Sequence, residues 1–480
     1  MIVRVLCVIA CLACGASPAN DSKDSMKAEA RLLQRRTGTH DWTRFGWDAS
    51  RSNASTDPTG ITAANISTMR RQHVALDGTV DASPIYLHGV RVHGADRDVF
   101  FVTTTYGKTI AIDATDGSIL WRYTPPAFDS WAGSRRMTTS TPVADPSRNF
   151  IYAASPDGHI QKLSVADGRP AWSTAITLLP DREKIASSLN YFHGKVIATT
   201  GGYIGDAPPY QGHVAILDAE SGRLLHVWNS LCSDRHALIQ PSSCRESGSA
   251  IWGRSGAVID TTTGDIYVAT GNGTWDGRTN WGDAAIAIDS SASNIVDNYT
   301  PTNTEDLSLR DADLGSTSPA LLGNGYVIQG GKDGAIRLLR FGRGRGGSPR
   351  RGGEVQVVST PSGDDLFTAP AVWRGARTWI FAADGGATAA WTFADGRLQQ
   401  AWKNRNGGTS PVLAGGLLYV YDPGGGLRVY EPQTGRQLAN LDCGGGHWNS
   451  AVIADGRIAL AEGTSNSHRQ GGVLNIWRLP

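Results

Sequence analysis

Ala111-Ile112-Asp113-Ala114-Thr115-Asp116-Gly117-Ser118-Ile119-Leu120-Trp121 is the stretch on which the fold turns. An apolar strand runs into an acidic residue, a tight turn follows with Gly in a left-handed position, and the returning strand carries a Trp. The pattern recurs as Lys162-Leu163-Ser164-Val165-Ala166-Asp167-Gly168-Arg169-Pro170-Ala171-Trp172. It recurs again at Ile216-Leu217-Asp218-Ala219-Glu220-Ser221-Gly222, with a displaced Trp228. Weaker copies are Ala287-Ile288-Asp289, Thr392-Phe393-Ala394-Asp395-Gly396 with Trp402, and Val429-Tyr430-Glu431-Pro432-Gln433-Thr434-Gly435. A Trp returned across its sheet in this way is placed to dock between neighbouring sheets.

Another apolar strand precedes each copy, as in Val99-Phe100-Phe101-Val102 and Ile151-Tyr152-Ala153-Ala154. Before that strand a small-residue pair often marks a unit start: Ser83-Pro84, Thr141-Pro142, Ser318-Pro319, Ala369-Pro370 and Ser410-Pro411. Unit starts fall near residues 82, 140, 187, 250, 316, 368, 409 and 449. Their spacing, roughly 40–70 residues, suits four-stranded antiparallel blades with variable loops. The expectation is an all-β chain forming a single eight-bladed β-propeller over residues 41–480. It displaces the three domains that 480 residues would otherwise suggest.

Composition agrees. Hydrophobic residues are 40% and charged residues 19%, which excludes a disordered chain, and 58 glycines suit a turn-dense β protein. A net charge of +1 gives no global attraction to nucleic acid. The basic, Gly-rich stretch 342–353 reads as a solvated blade loop, and no Walker or Gly-x-Ser-x-Gly motif occurs. The 11 His are scattered, and His88 and His93 lack the spacing of a metal motif.

The N-terminus reads as a targeting segment. Arg4 precedes the apolar run VLCVIACLACGA, which is shorter than the ~20 residues of a membrane helix and fits a secretory signal. Cleavage after Ala19 gives a signal over 1–19 and a polar linker over 20–40. Val8-Ile9-Ala10-Cys11 and Cys11-Leu12-Ala13-Cys14 also allow a lipoprotein box, so lipid anchoring stays open. The expected location is the periplasm or beyond. There Cys232 and Cys244, which bracket the polar stretch SDRHALIQPSS, can bridge, contributing about 3 kcal/mol. Cys443 has no evident partner.

The Ala111–Trp121 copy resembles the blade signature of pyrroloquinoline quinone (PQQ) propellers, the quinoprotein alcohol dehydrogenase-like superfamily. The opening Asp41-Trp42-Thr43-Arg44-Phe45-Gly46-Trp47-Asp48 resembles the segment that closes the ring in that family. The resemblance implies that 41–48 complete the last blade. Trp252-Gly253, Asp260 and Ala269-Thr270-Gly271-Asn272-Gly273 resemble the run in which a Trp floors the quinone and an Asn oxygen binds calcium. Lys332, in Gly330-Gly331-Lys332-Asp333-Gly334, resembles the basic residue that meets the quinone carbonyls. For the catalytic base, counting from Pro301 selects Asp306, and counting back from Ser318-Pro319 selects Asp311 or Asp313. The family's calcium-binding Glu should fall within 201–206, where Asp206 is the nearest carboxylate. The family's adjacent-Cys pair has no counterpart, and no haem domain is fused.

Two functions follow from the resemblance. One is PQQ- and calcium-dependent oxidation of a small or polymeric alcohol, with an external electron acceptor. The other is a non-catalytic envelope propeller that scaffolds other envelope proteins. Neither involves nucleic acid, and the membrane enters only through a lipid anchor.

Overall fold

The computed structural model describes residues 40–480 other than 343 and 345. The signal and most of the linker expected above lie outside the described residues. Eight four-stranded antiparallel sheets follow one another as the blades of a propeller. Blades 1 to 7 span 85–123, 143–175, 190–229, 258–299, 320–359, 371–403 and 412–441. Blade 8 takes three strands from 452–478 and its fourth from Arg70–Leu76. A two-stranded ribbon pairs Glu183–Lys184 with Gly201–Gly202.

The first strand of each blade faces the axis. In blade 7, Val412–Ala414 is buried throughout, whereas the outer strand Gln437–Leu441 is largely exposed. Middle strands are buried on both faces because each face packs on a neighbouring blade. One apolar cluster joins Phe101 and Ala111 of blade 1 to Ile151, Ala153 and Leu163 of blade 2.

The repeat's Trp and Gly meet across blade junctions. Trp121 of blade 1 donates its indole N–H to the Val165 carbonyl of blade 2 at 2.9 Å. Its ring lies on Gly168, whose φ is +74° and whose absent Cβ would sit 2.5 Å from the ring. Trp172 repeats the contact on Ala219 (3.3 Å) and Gly222, and Trp402 on Pro432 (2.8 Å) and Gly435. The accepting carbonyl is each time three residues before the glycine. The turn glycine therefore does two things: it adopts the left-handed backbone, and it leaves room for the indole of the preceding blade.

Ring closure differs from expectation. Residues 41–48 do not complete the last blade; Arg70–Leu76 does, pairing with Gly472–Arg478 from Arg70 opposite Arg478 to Leu76 opposite Gly472. Residues 42–59 instead cross one end of the channel. Trp42 pairs with Tyr86 of blade 1, and Thr43 accepts from Ala144 of blade 2. Arg44 donates to Asn190 of blade 3, and Ala49 accepts from Ile259 of blade 4. Ser52, Asn53 and Thr59 accept from Val372, Leu413 and Gly456 of blades 6, 7 and 8. One short segment reaches so many first strands only because they converge on a common axis. An apolar, aromatic opening had suggested a strand; its partners lie along the rims of the first strands, and it plugs the channel.

Cys232 and Cys244 form a disulfide with Cα atoms 6.2 Å apart. Cys443 is a free, buried thiol that burial pushes up to about 12, so it is chemically quiet. Among the described residues, no helix is long and apolar enough to cross a membrane.

Candidate functional site

Opposite the plug, the loops entering the first strands and the hairpins leaving the second strands surround the channel mouth. Blade 4 contributes Trp252 before its first strand and Asn272 after its second. Blade 5 contributes Asp311 and Asp313 before its first strand and Lys332 after its second. Antiparallel topology returns both hairpin positions to the same end, so residues far apart in sequence meet.

Lys332 is the hub. Its ammonium lies 2.5 Å from Asp313 Oδ2, 3.2 Å from Asp311 Oδ1 and 5.5 Å from the centre of the Trp252 ring. Asn272 ties the carboxylates together: its backbone N–H donates to Asp313 Oδ1 at 2.6 Å and its side-chain N–H to Asp311 Oδ1 at 2.6 Å. The Asn272 side-chain oxygen is buried and accepts no hydrogen bond. Gly271 makes the arrangement possible, since a Cβ there would lie 2.3 Å from Asp313 Oδ1.

The two aspartates differ. The Asp313 side chain is 9% exposed and that of Asp311 is 67% exposed. Burial pushes Asp313 above the ordinary carboxylate range against the pull of Lys332. Burial also disfavours the Lys332 ammonium, but Asp313 and Asp311 outweigh it, so Lys332 holds its proton more tightly than usual. Behind this pair, Asp283 is fully buried; it accepts from Leu314 N–H at 3.0 Å through Oδ1, and its Oδ2 has no partner. Burial first, then Asp313 and Asp333, push it up to about 8 against Leu314 and Lys332.

Asp306 does not join the cluster. It sits on the short helix Thr304–Leu309 and pairs with Arg310 at 2.7 Å, both side chains 57% exposed. Asp206 lies on an exposed turn and accepts from the Tyr210 hydroxyl at 3.0 Å. That hydroxyl is pushed up by burial first and then by Asp206, Asp313 and Asp311, so Tyr210 links the turn to the cluster. Asp260 serves a turn, accepting from Thr262 N–H at 2.9 Å.

Several mouth residues carried no motif. Trp252, Phe367 and Trp448 form an aromatic row with ring centres 5.9 and 5.5 Å apart. Arg254 lies 6.0 Å from the Trp448 ring and donates to the Thr139 carbonyl at 3.0 Å. Asp81 accepts from His447, Trp448 and Ser465, and these partners with Arg254 overcome burial to hold it at about 2. Burial, assisted by Arg254 and opposed by Asp81, pushes the Lys184 ammonium down to about 8. Glu183 is buried opposite Gly202, but its carboxylate already serves Thr177 and Gln211. A visible signal existed only at the unit starts, where Asp81, Arg254, Phe367 and Trp448 all lie.

The mouth therefore offers an aromatic row, an ammonium braced by two carboxylates and a free amide oxygen. Such a set can stack a planar anionic ring system, meet its oxygens with positive charge, offer a hard oxygen to a cation and accept a proton. A family profile described as "Outer membrane protein assembly factor BamB" matches residues 27–237. Quinohemoprotein alcohol dehydrogenase ADH IIB of Pseudomonas putida is 25% identical over 42% of this chain and 29% of its own length. A polyvinylalcohol dehydrogenase of a Sphingopyxis strain is 25% identical over 40% of this chain and 30% of its own length. This chain thus matches about a third of the length of these curated relatives. The solved structure of quinohemoprotein alcohol dehydrogenase ADHIIG from Pseudomonas putida superposes with a TM-score of 0.70 at 16% identity, covering 94% of this chain and 82% of that one. At that identity the superposition speaks for the fold.

Proposed function

We propose that this eight-bladed propeller, whose relatives include quinohemoprotein alcohol dehydrogenases, binds PQQ with a calcium ion at its channel mouth and oxidises an alcohol, small or polymeric, passing electrons to an external acceptor. The observation that carries this reading is the convergence of Lys332, Asp311, Asp313 and Asn272 beside the Trp252 ring. The residues fit the groups. Trp252 offers a flat apolar face, and Lys332 a fixed positive charge for a carbonyl oxygen. The unpartnered Asn272 oxygen, with the Asp206 carboxylate at the rim, offers calcium hard donors. When bound, the quinone supplies the acceptor for the hydride that leaves the alcohol carbon.

The chain's own residues divide the remaining work. Asp311, exposed at the mouth, takes the hydroxyl proton of the alcohol through a carboxylate oxygen. Asp313 and Asn272 hold the geometry: Asp313 fixes the Lys332 ammonium, and the Asn272 amide orients Asp311. Lys332 stays protonated and stabilises negative charge on a neighbouring oxygen. The N-terminal 1–19 would direct export, 20–40 would be a linker, and a lipid on Cys11 or Cys14 would tether the propeller to the envelope.

A second reading has its own support. Both Asp311 and Asp313 are already paired with Lys332, the family's adjacent-Cys pair is absent, and the matching family profile describes an assembly factor. On that reading the propeller is an envelope scaffold and the mouth charges only knit blades 4 and 5. Turnover of alcohols with an artificial electron-accepting dye, after incubation with PQQ and calcium, separates the two. The enzyme reading expects turnover that Asp311→Ala abolishes and Asp306→Ala leaves alone. No turnover with any alcohol, together with no quinone uptake, supports the scaffold.

A further inference from the structure

At the seam where blade 8 meets blade 1, four donor side chains from three separate segments face one another. His88 and Asp98 come from the first two strands of blade 1, Asp455 from the first hairpin of blade 8, and His40 from the chain just before the plug. His88 Nδ1 lies 3.0 Å from Asp98 Oδ1 and 2.9 Å from Asp455 Oδ2, and the ligand atoms of these three residues all lie within 4.8 Å of one another. His40 Nδ1 touches the other oxygen of Asp455, and the two imidazole centres are 5.1 Å apart. We propose that His40, His88, Asp98 and Asp455 bind one late first-row divalent cation, with zinc as the probe, and that the ion fastens the ring closure.

The donor set suits such an ion. Zinc takes imidazole nitrogen and carboxylate oxygen in a tetrahedron at about 2.0–2.2 Å, which sets ligand atoms about 3.3 Å apart. The two His88–carboxylate separations fall within a few tenths of an ångström of that edge. A single N–H on His88 points in one direction and cannot serve two carboxylates from different blades well, whereas a cation between the three atoms satisfies all of them. Outer partners hold the carboxylates in place. Arg457 lies 3.1 Å from Asp98 Oδ2, away from His88; Gly89 N–H donates to Asp98 Oδ1 at 2.9 Å, and the Tyr86 hydroxyl to Asp455 Oδ2 at 2.7 Å. With neutral imidazoles, two carboxylates against one guanidinium leave a local negative charge for a dication to fill. His88 and His40 are 50% and 40% exposed, which gives an ion a way in. Imidazole ligands disfavour calcium and magnesium, so this site is chemically distinct from the one at the channel mouth.

The test uses the full chain, stripped with a chelator and then given zinc, with bound metal counted by native mass spectrometry and melting followed in parallel. The expected result is one zinc per chain at about 10 µM free metal, with melting raised by about 3 °C. Calcium alone should give no such shift at this seam. His88→Ala, and the isosteric Asp98→Asn in case the first variant folds poorly, should bind zinc at least tenfold more weakly. His73→Ala, on the exposed face of the closing strand, should bind it fully. No zinc retained by the parent chain, or equal retention by His88→Ala and Asp98→Asn, would overturn the proposal. In that case the cluster is a set of imidazole–carboxylate contacts that only join blade 8 to blade 1.

Discussion

The two ends of the channel are built from the same eight first strands and are held by opposite chemistry. At the plugged end one buried cation, Arg51, spends its charge on neutral backbone: its terminal nitrogens donate to the carbonyls of Phe45, Ser188 and Leu189, the last two at 3.2 and 2.7 Å. Burial first, and then Arg44, depress its pKa against the pull of Asp48. At the open end Lys332, Arg254 and Lys184 face Asp311, Asp313 and Asp81, with aromatic rings between. A cation sealed by carbonyls can only hold a structure. Charges of both signs at a mouth, beside an amide oxygen without a partner, are costly for folding and useful for a ligand.

The largest effect expected at the plugged end is on stability. Arg51→Ala leaves buried carbonyls at the junction of the plug with blade 3 without donors and should cost about 4 kcal/mol in denaturant unfolding. Quinone affinity of the folded fraction should stay unchanged; a loss of affinity without a loss of stability would break the division between the two ends. The converse change is Lys332→Gln. It should lower turnover about 100-fold, about 3 kcal/mol, while unfolding shifts less than in Arg51→Ala.

Asp283 sharpens the comparison further, because it is a buried acid behind the mouth with one oxygen unsatisfied. Its folded-state pKa, about 8, lies above its unfolded value near 4. Between those values the folded chain keeps a proton that the unfolded chain has released. This contribution to stability is therefore full below about pH 4 and is lost as pH rises towards 8. Asp283→Asn should remove that slope, gaining stability at pH 8 and little at pH 4, as read from urea midpoints across the range. A parallel profile for parent and variant would contradict the assignment. The smallest effect belongs to Asp306→Asn. It breaks only an exposed i,i+4 pair with Arg310, so stability should move by about 0.3 kcal/mol and turnover not at all.

How much of this was legible depends on how local each signal is. Five of the eight unit starts were readable directly because each is written in adjacent residues: Ser83-Pro84, for example, stands directly before the strand at Ile85, and Ala369-Pro370 before Ala371. The turn-Gly and Trp pattern was likewise local, although its partner blade was not. The closing strand was missed because Arg70–Leu76 lies on the outside of blade 8, so Arg70, Arg71, Gln72 and His73 point largely to solvent and read as loop. The aromatic opening at 41–48 attracted the assignment instead. At the mouth, Trp252, Asn272, Asp311, Asp313 and Lys332 carried motif context, and the fold brings them together. Asp283 and Lys184 did not, since they acquire meaning only when separate blades meet at one axis. His88 is the clearest case: nothing beside it in sequence suggests a metal, Asp98 reaches it only across a hairpin, and His40 and Asp455 arrive from other segments.

On the proposed function the open end is a quinone and calcium site rather than a charged seam between blades. Calorimetric titration of the purified chain with PQQ, with and without calcium, tests this directly. The account predicts one tight, calcium-dependent binding event that collapses in Asn272→Ala, which removes the unpartnered amide oxygen. No detectable heat in the parent chain, or binding indifferent to both calcium and Asn272→Ala, would contradict it.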